Sequence, residues 1–203
     1  IEKSFQTLFR GKTIACGDTE FEIAQTISKS ALVRNGIDIE EVHQNFSEHR
    51  NQILTIGIVG RITYARNPEL FNQIALRFPD FQFIWIGDGE LRHQLTAANI
   101  KITGWFTDRK KLLHVVNNLD IYMQTSLWEG LPMAVLEAMA LQKPVLATNV
   151  IGNKDVVSVG ETGFLFDDIA ELDAYFETLK DENKRRLMGE KALERCRLLF
   201  DKD

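Results

Sequence analysis

From residue 53 onward, short β-branched or aromatic runs alternate with stretches whose apolar residues recur at helical spacing, and few folds accommodate that alternation. Residues 53–59, 81–86, 100–103, 119–124, 144–148 and 163–166 read as strands. Several are apolar on both faces, as strands covered by helices on each side must be. Residues 68–77, 90–97, 109–117 and 132–141 read as the intervening helices, most with a polar cap or an early proline. The expected fold class is therefore α/β, a Rossmann-like parallel sheet flanked by helices.

The flanking segments differ in character. Beyond residue 167, Leu172, Tyr175, Phe176 and Leu179 fall at helical spacing ahead of a charged run. Its basic cluster, Lys184, Arg185 and Arg186, reads as a solvated helix face, with contact to a membrane surface as the other reading. The first fifty residues are less regular, and Asn35-Gly36 is a strong turn signal. The organisation expected is the end of a preceding N-terminal domain or linker and an entry segment over 1–50, the Rossmann-like domain over 51–167 and C-terminal helices over 168–203. Because the chain opens on Ile1 rather than methionine, a piece of a longer protein is expected.

Charge and cysteine content narrow the partners. A formal net charge of -5 argues against nucleic acid, whose binding requires a basic surface to displace counterions. Cys16 and Cys196 match neither a metal-ligand spacing nor a disulfide framework, which fits a reducing compartment. No apolar run approaches the ~18 residues of a membrane span and no signal sequence opens the chain. A cytoplasmic protein is expected, with peripheral association at the inner face of the membrane as an option.

The segment richest in chemistry runs from Ser126 through Glu129, Gly130, Leu131, Pro132 and Met133 to Glu137, followed by Lys143-Pro-Val. A strand ends, a loop carries Glu129, and Pro132 starts a helix where proline is best tolerated. Glu137 is the lone carboxylate in that apolar helix, and its burial is costly unless something hydrogen-bonds it; paired ligand hydroxyls would do so. The helix amides would lie at the carboxyl end of a parallel strand, where open α/β sheets bind ligands and where phosphate is favoured.

This segment resembles the E-x7-E motif of family 4 glycosyltransferases (glycosyl transferases group 1), whose members have the GT-B fold, retain anomeric configuration and bind a nucleotide-diphosphate sugar in their C-terminal half. The resemblance implies that Glu129 faces the donor sugar as the catalytic residue and holds it in the reactive orientation, that Glu137 holds the ribose hydroxyls, and that Ser126 and the backbone of Gly130, Leu131, Pro132 and Met133 contact diphosphate and sugar. A second stretch, Gly57-Ile-Val-Gly60-Arg61 to Arg66, is similar to the family's Gly-Arg loop with a basic residue five positions later. Family members usually carry lysine there. Arginine keeps the charge and offers a bidentate fork, so Gly60, Arg61 and Arg66 are expected at the diphosphate, with altered geometry at Arg66. Weaker matches are Ile86-Gly-Asp-Gly-Glu90, Thr103-Gly-Trp105-Phe106, whose aromatics become candidates beside the nucleobase or for simple packing, and Arg34-Asn-Gly-Ile-Asp38. The resemblance covers about residues 13 to 167 and implies that 51–167 is the nucleotide-sugar-binding domain.

The same resemblance implies a hexosyltransferase working on a saccharide or lipid-linked acceptor, in polysaccharide or lipopolysaccharide assembly. The acceptor would sit largely on a preceding N-terminal domain, so this stretch alone is expected to be inactive. No metal and no cofactor are expected, because basic residues and helix amides take the diphosphate charge. A nicotinamide dehydrogenase is disfavoured: the first strand lacks G-x-G-x-x-G, and after Gly87-Asp-Gly89 the third glycine is replaced by Arg92. The histidines at 43, 49, 93 and 114 show no metal spacing, and no G-x-S-x-G elbow occurs. A nucleotide-sugar epimerase of the same fold and a non-catalytic nucleotide-sugar-binding module remain open.

Overall fold

The computed structural model describes residues 11–202; the first ten residues of the 1–50 segment and Asp203 lie outside the described residues. Strand β1 (Thr13–Ala15), helix α1 (Asp18–Gln25) and strand β2 (Ser30–Leu32) form a small parallel βαβ unit, and α2 (Ile39–His43) follows. The main sheet comprises β3 (Thr55–Val59), β4 (Gln82–Ile86), β5 (Ile100–Ile102), β6 (Ile121–Gln124), β7 (Val145–Thr148) and β8 (Gly163–Phe166). All of its neighbours run parallel, in the order β5-β4-β3-β6-β7-β8. After β5 the chain crosses back to the far side of β3, which makes the β3–β6 boundary the topological switch point where such sheets bind ligands.

The helices are α3 (Pro68–Arg77), α4 (Arg109–Asn117), α5 (Met133–Ala140), α6 (Ile151–Val156), α7 (Leu172–Leu179) and α8 (Glu182–Leu199). Local chemistry explains several of their starts. The Asn67 side chain accepts from the Leu70 amide at 3.3 Å ahead of Pro68, and Asp108 accepts from the Lys110 amide at 2.9 Å. Such caps stabilise a helix by about 1 kcal/mol each.

Two apolar layers enclose the sheet. On one face Phe71 and Ile74 of α3 and Phe176 and Leu179 of α7 meet Phe83, Trp85, Met123 and Leu146. On the other, Leu136 and Met139 of α5 and Ala192 and Cys196 of α8 meet Ile86, Tyr122 and Val145. Alternate residues of one strand thus enter opposite layers, because successive side chains of a strand point to opposite faces.

The structure departs from expectation in two places. Residues 90–97 form only a 3-10 turn, Arg92–Gln94, because the Thr96 and Ala97 amides donate to Asn72 Oδ1 at 2.7 and 2.9 Å and the Leu91 amide donates to the Ile62 carbonyl at 3.2 Å. Tertiary acceptors therefore replace the helical ladder. Asn35-Gly36 does not form a turn: the chain continues to Ile37, which pairs in parallel with Asp201, and a Cβ on Gly36 would lie 2.9 Å from Lys202 Cα. The glycine serves a close backbone approach. Among the described residues, no helix is long and apolar enough to cross a membrane.

Candidate functional site

At the carboxyl end of β3 the chain turns through Gly60, at φ +148°, into a 3-10 turn, Tyr64–Arg66. Trp85 Nε1 donates to the Gly60 carbonyl at 2.9 Å. A Cβ on Gly87 would approach that same oxygen to 2.2 Å, so the loops after β3 and β4 can pack together only with glycine at this position. Across the switch point, β6 ends in the loop that carries Ser126 and Glu129. The loops are tied by the Leu127 amide donating to the Ala65 carbonyl at 2.9 Å and by Thr125 Oγ1 donating to the Arg66 carbonyl at 2.8 Å.

Between these loops lies a connected polar cluster. Arg66 forms an ion pair with Glu129 and donates to Ser126 Oγ at 3.2 Å. Glu129 Oε1 also accepts from Ser126 Oγ at 2.6 Å and from Gln124 Nε2 at 2.5 Å. Behind it, Tyr122 OH donates to Gln124 Oε1 at 3.1 Å and accepts from the Val59 amide at 3.3 Å. Burial drives the Tyr122 phenol upward from its ordinary pKa, so it stays a protonated donor. The Glu129 side chain is 12% exposed and that of Arg66 27% exposed, which leaves both within reach of solvent.

Helix α5 starts beside this cluster. Pro132 occupies the cap position and no side chain caps the helix; the Val135 amide donates back to the Pro132 carbonyl at 3.0 Å, which leaves the amides of Met133 and Ala134 without a capping side chain. Leu131 is buried in the core and Met133 is 39% exposed. The Gly130 carbonyl lies so close to α6 that a Cβ on Gly152 would come within 2.0 Å of it, and the Gly152 amide donates to the Glu129 carbonyl at 3.3 Å. Helix α6 thereby holds the Glu129–Gly130 backbone in place.

Glu137 lies one turn into α5, with its side chain 15% exposed, and it is not alone: Arg109 Nη2 sits 2.9 Å from its carboxylate while Arg109 Nε reaches Glu41 at 3.4 Å. Burial raises the Glu137 pKa, and the Arg109 charge opposes that rise. Sequence reading missed Arg109, since a basic residue after an Asp cap carries no mark of its distant partner. It also missed Gln124 and Tyr122, whose place in an apolar strand gave only one hint, a polar side chain where both faces are covered.

The structure brings Gly60, Arg66, Ser126, Glu129 and the start of α5 to one crevice. Arg61 stays apart, 70% exposed and paired with Glu90 at 3.3 Å. Trp105 is 63% exposed, whereas Phe106 packs against the core. At the crevice mouth Tyr64 and Trp128 form an exposed tilted ring pair with centroids 5.9 Å apart.

The sequence profile described as glycosyl transferases group 1 matches residues 39–195. The chain belongs to this family. It is 29% identical over 175 residues to the Escherichia coli UDP-Gal:alpha-D-GlcNAc-diphosphoundecaprenol alpha-1,3-galactosyltransferase, a match covering 74% of this chain and 44% of that enzyme. The chain thus spans less than half the length of that relative. Among solved structures, Anabaena HepE in complex with UDP-glucose superposes with a TM-score of 0.77 at 20% identity, covering 93% of this chain and 59% of that one. The C-terminal domain of the group 1 protein LpcC from Francisella tularensis gives a TM-score of 0.68 at 21% identity, covering 83% of this chain and 100% of that one. These likenesses show the fold, that of the C-terminal half of a GT-B glycosyltransferase.

Proposed function

We propose that this chain is the donor-binding domain of a retaining, metal-independent glycosyltransferase whose donor is a uridine diphosphate sugar. The observation that carries the reading is the Arg66–Ser126–Glu129 cluster beside the uncapped start of α5 at the switch point. UDP-Gal in the name of the Escherichia coli relative and UDP-glucose in the HepE complex support uridine as the base.

Breaking the anomeric bond creates an oxocarbenium-like sugar and an anionic diphosphate, and catalysis requires both charges to be stabilised. Arg66 and the α5 amides serve the diphosphate, with Gly60 leaving room for its approach. Arg61 joins them by leaving Glu90, a rearrangement open to an exposed side chain. Glu129, anchored by Ser126 and Gln124, orients the sugar once the diphosphate draws Arg66 away. Glu137 exchanges part of its Arg109 pairing for the ribose hydroxyls. The acceptor is a saccharide or lipid-linked glycan bound largely on another domain, in polysaccharide assembly at the inner face of the membrane; the diphosphoundecaprenol in the relative's name supports this setting.

Calorimetry of residues 1–203 with UDP, GDP and ADP, followed by product analysis of the full-length protein with UDP-sugars and glycan acceptors, tests the reading. UDP binding and a glycoside of retained configuration are expected. An epimerised donor or an inverted glycoside would overturn the assigned reaction, and absence of UDP binding would overturn the assigned donor.

A further inference from the structure

The opposite edge of the sheet holds a second concave site. A cavity of about 850 Å³ opens at the amino ends of β3, β6 and β7, between residues 46–51, the turn from α5 into β7 and the start of α8. Its size lies in the range of small-molecule pockets. It is built from well-fastened parts. Asn117 pins the 46–51 strap by accepting from the Ser47 amide at 3.3 Å and donating to its carbonyl at 3.0 Å. Gln142 adopts a left-handed conformation, φ +54°, that turns the chain from α5 toward the cavity, and α8 packs so closely there that a Cβ on Gly189 would lie 2.0 Å from the Gln142 carbonyl. A left-handed non-glycine residue costs free energy, and such strain persists only where the surroundings enforce it.

The wall carries four basic side chains, Arg50, Lys143, Arg185 and Arg186, and four acidic ones, Glu48, Asp120, Glu182 and Glu190, but they are not evenly paired. Arg50 pairs with Glu182 at 3.0 Å and Arg186 with Glu190 at 2.5 Å; Arg185 Nη1 donates to the Leu179 and Lys180 carbonyls at 2.6 and 2.8 Å, while its Nη2 lies 3.9 Å from Asp120. Lys143 is only 4% exposed, and among the described residues its ammonium has no hydrogen bond and no ion pair within 4.0 Å; the Phe46 ring lies 5.9 Å away and the Asp120 charge acts on it from beyond ion-pair distance. The His49 Nε2 atom is buried without a hydrogen-bond partner, 4.0 Å from Asp120 Oδ1. Asp120 divides its charge: Oδ2 accepts from the Thr55 amide at 2.8 Å and from Asn51 Nδ2 at 2.9 Å, and Oδ1 faces both His49 at 4.0 Å and Arg185 at 3.9 Å. Glu48, the remaining acid of the wall, is exposed to solvent.

We infer that this cavity is a second ligand site, taking a small phosphate-bearing anion against Lys143, His49 and Arg185, on the edge of the sheet away from the donor crevice. The Lys143 ammonium opens on the cavity from a side chain with little contact with solvent, and a bound anion supplies the acceptor oxygens that scarce water provides only in part. Burial pushes the Lys143 pKa down to about 8, a penalty that the anion would relieve. The basic cluster at the start of α8 thereby gains a use: Arg185 and Arg186 line this cavity.

The test is a titration of the 15N-labelled chain with inorganic phosphate at pH 7, with ionic strength held constant by sodium chloride. The His49 ring signals and the amides of residues 46–51 and 142–145 should shift saturably. The response should weaken about tenfold or more in Lys143→Met and in Arg185→Gln, as loss of a charge-assisted contact implies, and should persist in Arg66→Ala, which alters the other edge. Lys143→Met replaces a buried charge by an apolar side chain and is expected to fold, which a thermal melt verifies. Absence of a shift, an equal response in Lys143→Met, or shifts confined to the Gly60–Met133 crevice would overturn the inference. Binding to phosphatidylglycerol vesicles without a response to inorganic phosphate would overturn the assignment to a small anion.

Discussion

Arg66→Ala should weaken UDP binding by about fivefold to thirtyfold, a range set by two opposing contributions at the switch point. A charge-assisted hydrogen bond to diphosphate contributes about 1.5–3 kcal/mol. Arg66 already holds Glu129 through a partly exposed ion pair, and relaxing that pair costs about 0–1 kcal/mol after screening. The limits of these ranges differ by about 0.5–3 kcal/mol and their midpoints by about 1.8 kcal/mol, and the midpoint value converts to about twentyfold, inside that range, at 1.4 kcal/mol per decade. In a Glu129→Gln background the competing carboxylate is gone, so the same Arg66→Ala substitution should cost nearer the full 1.5–3 kcal/mol. Calorimetry on the four proteins of this cycle, each checked by thermal melt, measures both numbers. An unchanged Kd in Arg66→Ala would remove Arg66 from the diphosphate site, and a coupling energy of zero would refute the competition between Glu129 and the donor.

Glu129→Gln in the full-length enzyme should lower kcat by about a hundredfold or more, as loss of a positioning contact implies, while UDP affinity holds or rises slightly; a fully active variant would refute the role of Glu129. Glu137→Gln should weaken UDP binding more than it lowers the melting temperature: burial raises the Glu137 pKa, so its carboxylate form already costs stability as pH rises above the ordinary carboxylate range, and an amide removes that cost. A collapsed fold with normal binding in the surviving fraction would assign Glu137 to structure instead. Gly87→Ala should destabilise the domain by about 1–3 kcal/mol or more in urea melts, because its Cβ would meet the Gly60 carbonyl oxygen at 2.2 Å; an unaltered midpoint would contradict the packing of the two loops. Lys143→Met should be more stable than wild type at pH 7. With the folded Lys143 pKa at about 8 and the unfolded value at 10.5, the unfolded chain binds the extra proton between them. Wild-type stability from this group therefore rises with pH across that window, and the gap between the proteins should close by about pH 10.5; a gap independent of pH would place the ammonium in water.

The sheet was legible because its signals are local. A strand covered on both faces is apolar at consecutive positions, as residues 121–123 are, and caps such as Asp108 act within three residues of themselves. Sequence likewise marked Glu129, Glu137 and Arg66 by motif, and the apolar helix around Glu137 by composition. It left undetermined which of these groups meet. Arg66 and Glu129 are 63 residues apart and touch only because β6 lies beside β3, with β4 and β5 on the other side. Arg109 reaches Glu137 through the packing of α4 against α5, and residues 90–97 lose their helix to acceptors on Asn72 and Ile62. Lys143 entered the sequence reading only as part of the Lys143-Pro-Val stretch, yet the turn at Gln142 and the close seat of α8 set it in the wall of a cavity. Periodicity and capping are decided by neighbours in the chain, so sequence determines them directly. Ion pairs, cavity walls and diverted hydrogen bonds depend on strand order and helix seating, which exist only once distant segments have packed.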